Sequence, residues 1–281
     1  MTRLAAAALA ALGFLVTFTA GAPARPETLL ERGTYLMQGI VACGNCHTPK
    51  GPAGDIAEME LAGSLVLDTP EFTAYAPNIT PDVETGIGGW TDAQIITAIR
   101  EGKRPDGTII GPPMPIALYR NISDRDVQAI VAYIRNLKPV KNVVPKSVYN
   151  IPLPPAYGPP VTSVAEVPRD DKLAYGAYLA GPLGHCIECH SPMGPHGPDW
   201  ENQLGAGGFE IPGPWGVSVS ANITPTGLSE WSDDHIKTAV TQGRRPDGSP
   251  MMPPMAYSYY RNVVAEDLDA IVAYLRSLPP K

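Results

Sequence analysis

The sequence predicts an all-α chain built from two tandem copies of one unit. Three observations carry that reading. The chain repeats itself once. Each copy ends in a helix with a clean apolar stripe. Neither copy contains a run that alternates long enough for a sheet. Gly33, Tyr35, Leu36 and Cys43 return without a gap as Gly176, Tyr178, Leu179 and Cys186. "APNITP" returns as "SANITP", "RPDG", "PPM" and "YRN" each occur twice, and "AIVAYIRNL" returns as "AIVAYLRSL". From Trp90 and Trp231 onward the offset stays at 141 residues. Two such copies are two domains; a solenoid stacks more repeats to bury its core.

The elements follow in order. Residues 1–24 read as an export signal. Arg3 supplies the positive start, Leu4 to Phe18 the apolar stretch, and Ala20-Gly21-Ala22 or Ala22-Pro23-Ala24 the cleavage site. That stretch is short of the ~20 apolar residues a membrane span needs, and no later segment qualifies, so no transmembrane anchor is expected in the mature chain. A periplasmic location is expected.

The first unit covers residues 25–138. One helix leads into Cys43, and Pro49 discourages its continuation. A second starts at Trp90-Thr91, where Thr91 is an N-cap type and Gln94 a capping-box partner, and stops at Gly102. The last helix carries Val127, Ile130, Val131, Ile134 and Leu137, an i, i+3, i+4, i+7 stripe, with Ser123 and Asp126 at its start.

Residues 139–168 are proline-rich, which excludes helix and sheet interior. They read as an extended strap over both domains or as a plain linker. Interspersed Val, Tyr and Ile favour the strap. The second unit, 169–281, repeats the pattern. Its middle helix starts at Trp231-Ser232 and ends at Gly243. Its last helix carries Leu268, Ile271, Val272, Leu275 and Leu278. Ala265 interrupts the match at that helix's start.

The composition is globular: 44% apolar and 17% charged, with 32 prolines and 28 glycines that imply ordered loops. Net charge is −7, so there is no basic footprint for nucleic acid.

All four cysteines fall in two copies of one pentapeptide, "CGNCH" at Cys43–His47 and "CIECH" at Cys186–His190. Cys-x-x-Cys-His is the attachment sequence of haem c. Thiols of Cys43 and Cys46, or of Cys186 and Cys189, add to the haem vinyl groups, and the adjacent His47 or His190 takes the iron as proximal ligand. The sequence therefore calls for two covalent haem c groups. A zinc clamp fits less well, because the two pairs lie 143 residues apart, each with its own histidine. A redox CxxC pair needs a βαβ setting. A structural disulfide is compatible with an oxidising compartment.

Met114 and Met255 stand at matching places, 67 and 65 residues past their histidines, each in Pro-Pro-Met. Their shared repeat position marks them as candidate distal iron ligands rather than core filler. Met251 and Met252 are rivals in the second unit without partners in the first. Met193 lies too near the attachment turn. Outside the two motifs the histidines are His185, His196 and His235, all in the second half. The first iron therefore has no second histidine in its own unit, and His196 is the alternative ligand to watch. Trp90, Trp231, Asn78 and Asn222 are candidates either to bond haem propionates or to form walls and turns. Arg104, Arg120, Arg245 and Arg261 read as solvated.

"APNITPDVETGIGGWTDAQIITAIREGKRPDG…PPMP" and "DVQAIVAYIRNLKPV" resemble the dihaem members of the class I cytochrome c superfamily, in particular the cytochrome subunits of periplasmic alcohol and aldehyde dehydrogenases. The likeness covers Thr28 to the C-terminus. It implies two tandem class I cytochrome c domains and His/Met ligation by His47 with Met114 and His190 with Met255. It also implies a non-enzymatic role, carrying single electrons from a donor dehydrogenase to an acceptor cytochrome or oxidase. The alternative is a dihaem redox enzyme, a peroxidase or a thiosulfate-oxidising cytochrome. A peroxidase needs an open iron, which matching methionines disfavour. The thiosulfate type wants a cysteine or histidine distal ligand, and no cysteine is spare.

Overall fold

Thr28 and Glu31 cap the first helix from both sides. The Glu31 backbone N–H donates to the Thr28 hydroxyl, and the Glu31 carboxylate receives the Thr28 N–H. The computed structural model describes residues 26–281 except 53 and 196. The export segment and His196 lie outside the described residues.

In the first copy, α1 (Leu29–Gln38) leads to α2 (Gly44–His47), then α3 (Asp92–Glu101), α4 (Ile116–Tyr119) and α5 (Asp124–Asn136). The second copy has α6 (Lys172–Tyr178), α7 (Cys186–Cys189), α8 (Asp233–Gln242), α9 (Tyr257–Tyr260) and α10 (Ala265–Ser277). The caps are those the sequence implies. Thr91 and Gln94 form a capping box on α3, and α3 and α8 end at Gly102 and Gly243 with φ of 64° and 62°. α10 does begin at Ala265, without a side-chain cap. His235 completes the box of Ser232 on α8, a role its sequence position did not announce.

The expectation of an all-α chain is corrected by small antiparallel sheets. β1 (Lys50–Gly51) pairs with β2 (Gly54–Asp55), and β6 (Met193–Gly194) with β7 (Gly197–Pro198). β3 (Ser64–Asp68) and β4 (Phe72–Ala76) form a hairpin with a register shift between Leu65 and Leu67, matched in the second copy by β8 (Glu210–Gly213) and β9 (Gly216–Val219). Strands of two to five residues are too short to print an alternation in the sequence, and the turns between them read simply as loop.

The proline-rich segment is a strap, and its hydrogen bonds go to the first copy rather than to both. Its Val148–Tyr149 pair (β5) adds to the outer edge of β4. Tyr149 and Tyr157 donate to the carbonyls of Pro112 and Ile110, in the loop that leads to Met114. Val140 exchanges hydrogen bonds with Asn78 and Thr80.

Within each copy the first and last helices cross closely. A Cβ at Gly33 would lie 2.0 Å from the carbonyl oxygen of Ala129, and one at Gly176 2.0 Å from that of Ala270. Gly33→Ala and Gly176→Ala are each expected to push a helix pair apart and to cost roughly 1–3 kcal/mol. Urea denaturation of the single variants checks this, and an unchanged midpoint would refute the crossing.

One apolar core runs through both copies, from Leu36, Ile130 and Ile134 to Leu179, Ile271 and Leu275. At its edge two polar contacts cross between copies in matched fashion. Tyr35 donates to Asp267 Oδ2 at 2.7 Å, and Tyr178 donates to Asp126 Oδ2 at 2.8 Å. The same hydroxyls accept the backbone N–H groups of Val264 and Ser123, which open the opposite unit's last helix. The match fails at one place. Arg32 forms a two-pronged pair with Asp126, whereas the corresponding residue in the second copy is Tyr175, beside Asp267. Burial works against the Arg32 charge, but the paired Asp126 carboxylate outweighs it and the guanidinium is held above its usual pKa.

Candidate functional site

Each Cys-x-x-Cys-His motif folds as a single helical turn. The residue before the first cysteine, Ala42 or His185, has a positive φ of 47° or 39°, a conformation that non-glycine residues rarely adopt. Its recurrence at both motifs shows that the surrounding fold imposes it. Such backbone strain, of order 1–3 kcal/mol, concentrates where a functional group must be held.

The four cysteines are not joined to one another. Burial pushes the Cys43 thiol up to about 12 and Cys46 to about 11; the second pair reaches about 11 at Cys186 and about 12 at Cys189. Among the described residues no three of His, Cys, Asp and Glu converge as a metal cluster, so the two CxxC pairs do not meet as a clamp.

The histidines are oriented alike. His47 Nδ1 donates to the Pro77 carbonyl at 2.8 Å, and His190 Nδ1 to the Ala221 carbonyl at 2.7 Å. That bond fixes the ring and the tautomer, and it leaves Nε2 as the free lone pair for a metal. Burial lowers both imidazole pKa values, so the neutral, ligating form dominates. Two thiols on one turn with an adjacent imidazole whose Nε2 is free fit a covalently attached haem, and they do so twice.

Met114 and Met255 are half-buried against the shared core, while Met252 is 43% exposed and Met193 55% exposed. The Pro112–Pro113 and Pro253–Pro254 bonds are both cis, so the loops match in backbone as well as in sequence. His185 is in contact with the first unit. Its ring packs edge-on against Tyr119 of the first unit, 6.1 Å between centroids, and burial lowers its pKa to about 4. Glu188, inside the second motif, is pushed up to about 8 by burial.

Asn78 and Asn222 are turn residues. Their Oδ1 atoms accept from the N–H and hydroxyl of Thr80 and Thr224, and their Nδ2 atoms donate to the carbonyls of Val140 and Lys281. The carbonyls of Trp90 and Trp231 receive Arg135 and Arg276. Arg104, Arg120, Arg245 and Arg261 donate to backbone carbonyls. The sequence placed Asp126 only at the start of the last helix and did not single out Arg32 or Asp267; the one signal was that Asp126 and Asp267 recur at the same place in the repeat.

Residues 30–138 match the family model described as cytochrome c. The chain is 32% identical, over 96% of its length, to the cytochrome c subunit of the quinone alcohol dehydrogenase of Gluconobacter oxydans (strain 621H), and covers 59% of that protein. It is 33% identical, over 90% of its length, to the fructose dehydrogenase cytochrome subunit of Gluconobacter japonicus, and covers 53% of it. The chain thus spans little more than half the length of these two relatives. A diheme cytochrome c-type protein of Cereibacter sphaeroides is 32% identical and matched nearly end to end, 84% of this chain against 82% of the relative.

Proposed function

The chain belongs to the cytochrome c family, and from that premise we propose that it carries two covalent haem c groups and passes single electrons from a dehydrogenase to a downstream cytochrome or oxidase. The observation that carries this reading is the duplicated attachment turn, each with its histidine Nδ1 tied to a backbone carbonyl. The named relatives that are dehydrogenase cytochrome subunits support the donor. The export-type start of the chain supports a periplasmic setting. No helix among the described residues is long and apolar enough to cross a membrane.

Haem c, when bound, supplies a one-electron centre whose potential the protein sets through its axial ligands. In this reading Cys43 and Cys46 hold the first haem, and Cys186 and Cys189 the second. His47 and His190 offer Nε2 to the irons, oriented by Pro77 and Ala221. Met114 and Met255 would supply thioether ligands, which raise the potential. A haem held by a histidine and a methionine would offer no site for a substrate, and the residues would orient, shield and dock it.

The test is intact mass after periplasmic expression, followed by mixing with a dehydrogenase that has no haem of its own. Two haem masses per chain and rapid reduction are expected. A chain without bound haem would end the reading. Turnover of peroxide or thiosulfate by the purified protein faster than ~1 per second would move it to the enzymes.

A further inference from the structure

The two positions between the cysteines are chemically free in an attachment motif. In "CGNCH" both nevertheless touch the second unit. A Cβ at Gly44 would lie 2.1 Å from the hydroxyl oxygen of Tyr259 and 2.8 Å from its Cζ, so only glycine lets that ring lie against the turn. Tyr259 is on α9, which follows Met255 directly, and its hydroxyl donates to Asp55 Oδ2 at 2.8 Å. Beside it, Asn45 Nδ2 donates to the Pro254 carbonyl at 3.3 Å. That carbonyl belongs to the peptide whose nitrogen is Met255's. On the other side of the methionine, the Tyr257 N–H closes a turn onto the Met255 carbonyl at 3.0 Å.

The reverse hydrogen bond is missing. The matching residues of the second motif are Ile187 and Glu188. Among the described residues the Glu188 carboxyl group makes no hydrogen bond, and it lies 3.6 Å from His185 Nδ1. Correspondingly, Pro113 is exposed where Pro254 is half-buried.

We infer that Gly44 and Asn45 are positioning residues for the second iron's methionine. The first haem's attachment turn fastens the second haem's ligand loop through Gly44 and Asn45. This rests on the Met255 ligand reading above. Anchoring the peptide that enters Met255 removes loop freedom that competes with thioether binding, so it keeps the potential-raising ligand in place.

The experiment uses the oxidised holoprotein and added imidazole, which displaces methionine from haem iron. Asn45→Asp keeps the shape but sets a carboxylate against the Pro254 carbonyl; Asn45→Gln keeps a donor; Gly44→Ala displaces Tyr259. In Asn45→Asp one of the two methionines is expected to be displaced about tenfold faster, the factor for ~1.4 kcal/mol, and one midpoint potential to fall. Gly44→Ala should act in the same direction, and Asn45→Gln should restore part of the effect. The acceleration should survive in a Met114→Ala background and vanish in a Met255→Ala background. Wild-type displacement rates in both Asn45→Asp and Gly44→Ala would overturn the inference, and so would an effect that persists without Met255. Loss of stability with unchanged displacement would show that the contacts are merely structural. If Met255→Ala alone left the spectrum unchanged, the ligand reading would fall first and this inference with it.

Discussion

Asp126→Ala is expected to destabilise the protein by about 3–5 kcal/mol, the cost of stranding a buried charge. Arg32 is 2% exposed, and Asp126 accepts both its Nε at 2.7 Å and its Nη2 at 3.0 Å. The remaining nitrogen, Nη1, already lacks a partner. Removing the carboxylate strips the guanidinium of its counter-charge and deprives the Tyr178 hydroxyl of its acceptor. The matched change Asp267→Ala is expected to cost only about 1–2 kcal/mol, because its partners are the neutral hydroxyls of Tyr35 and Tyr175, and removing it strands no buried charge. Chemical denaturation of the two holoprotein variants side by side decides the matter. Equal losses would mean that the Arg32 pair contributes nothing beyond its hydrogen bonds.

Met114→Ala and Met255→Ala are each expected to remove roughly half of the weak sulfur-to-iron absorption at the red end of the oxidised spectrum, and the double variant all of it. Each single change should also lower one of the two midpoint potentials, since methionine is the ligand that raises them. Met252→Ala should leave the band untouched. Met252 is 43% exposed, whereas Met255 packs half-buried against the core. Loss of the band in Met252→Ala, with Met255→Ala silent, would reassign the second ligand.

The sequence made the attachment motifs legible because covalent chemistry permits no substitute for two thiols and an imidazole at that spacing. The terminal helices were legible because their stripes, such as Val127 to Leu137, have to bury one face. Thr91 and Gly102 marked the ends of a helix for local reasons that survive any tertiary context. What stayed hidden was set by contacts at long range. Tyr35 and Tyr178 sit in ordinary helical positions, and nothing local says that each bonds an aspartate in the other copy. Asn45 and Gly44 look like filler until the second unit is placed against them. β3 and β4 were missed because five-residue strands in a loop-rich segment pair with each other and with a strap that lies far along the chain. The strap itself was anticipated, but its one-sided attachment was not, since its tyrosines find their acceptors only in the folded first copy.

The crossed tyrosines have the form of an isologous contact, in which residue i of one half meets residue j of the other and the reverse holds too. A pair of identical subunits would make both contacts by symmetry. Joining the halves in one chain raises their effective concentration to about the millimolar range, so the contact surface no longer has to hold the pair together by its own affinity. Selection is then free to treat the halves differently. Arg32 has become Tyr175 at one corresponding place, Asn45 has become Glu188 at another, and the strap shelters one distal loop while Met252 stands open on the other. A homodimer would have to carry any such change twice. The tether lets this one make each change once, which, on the function proposed above, is the condition for two redox centres of the same design to acquire unequal potentials and therefore a preferred direction of electron flow.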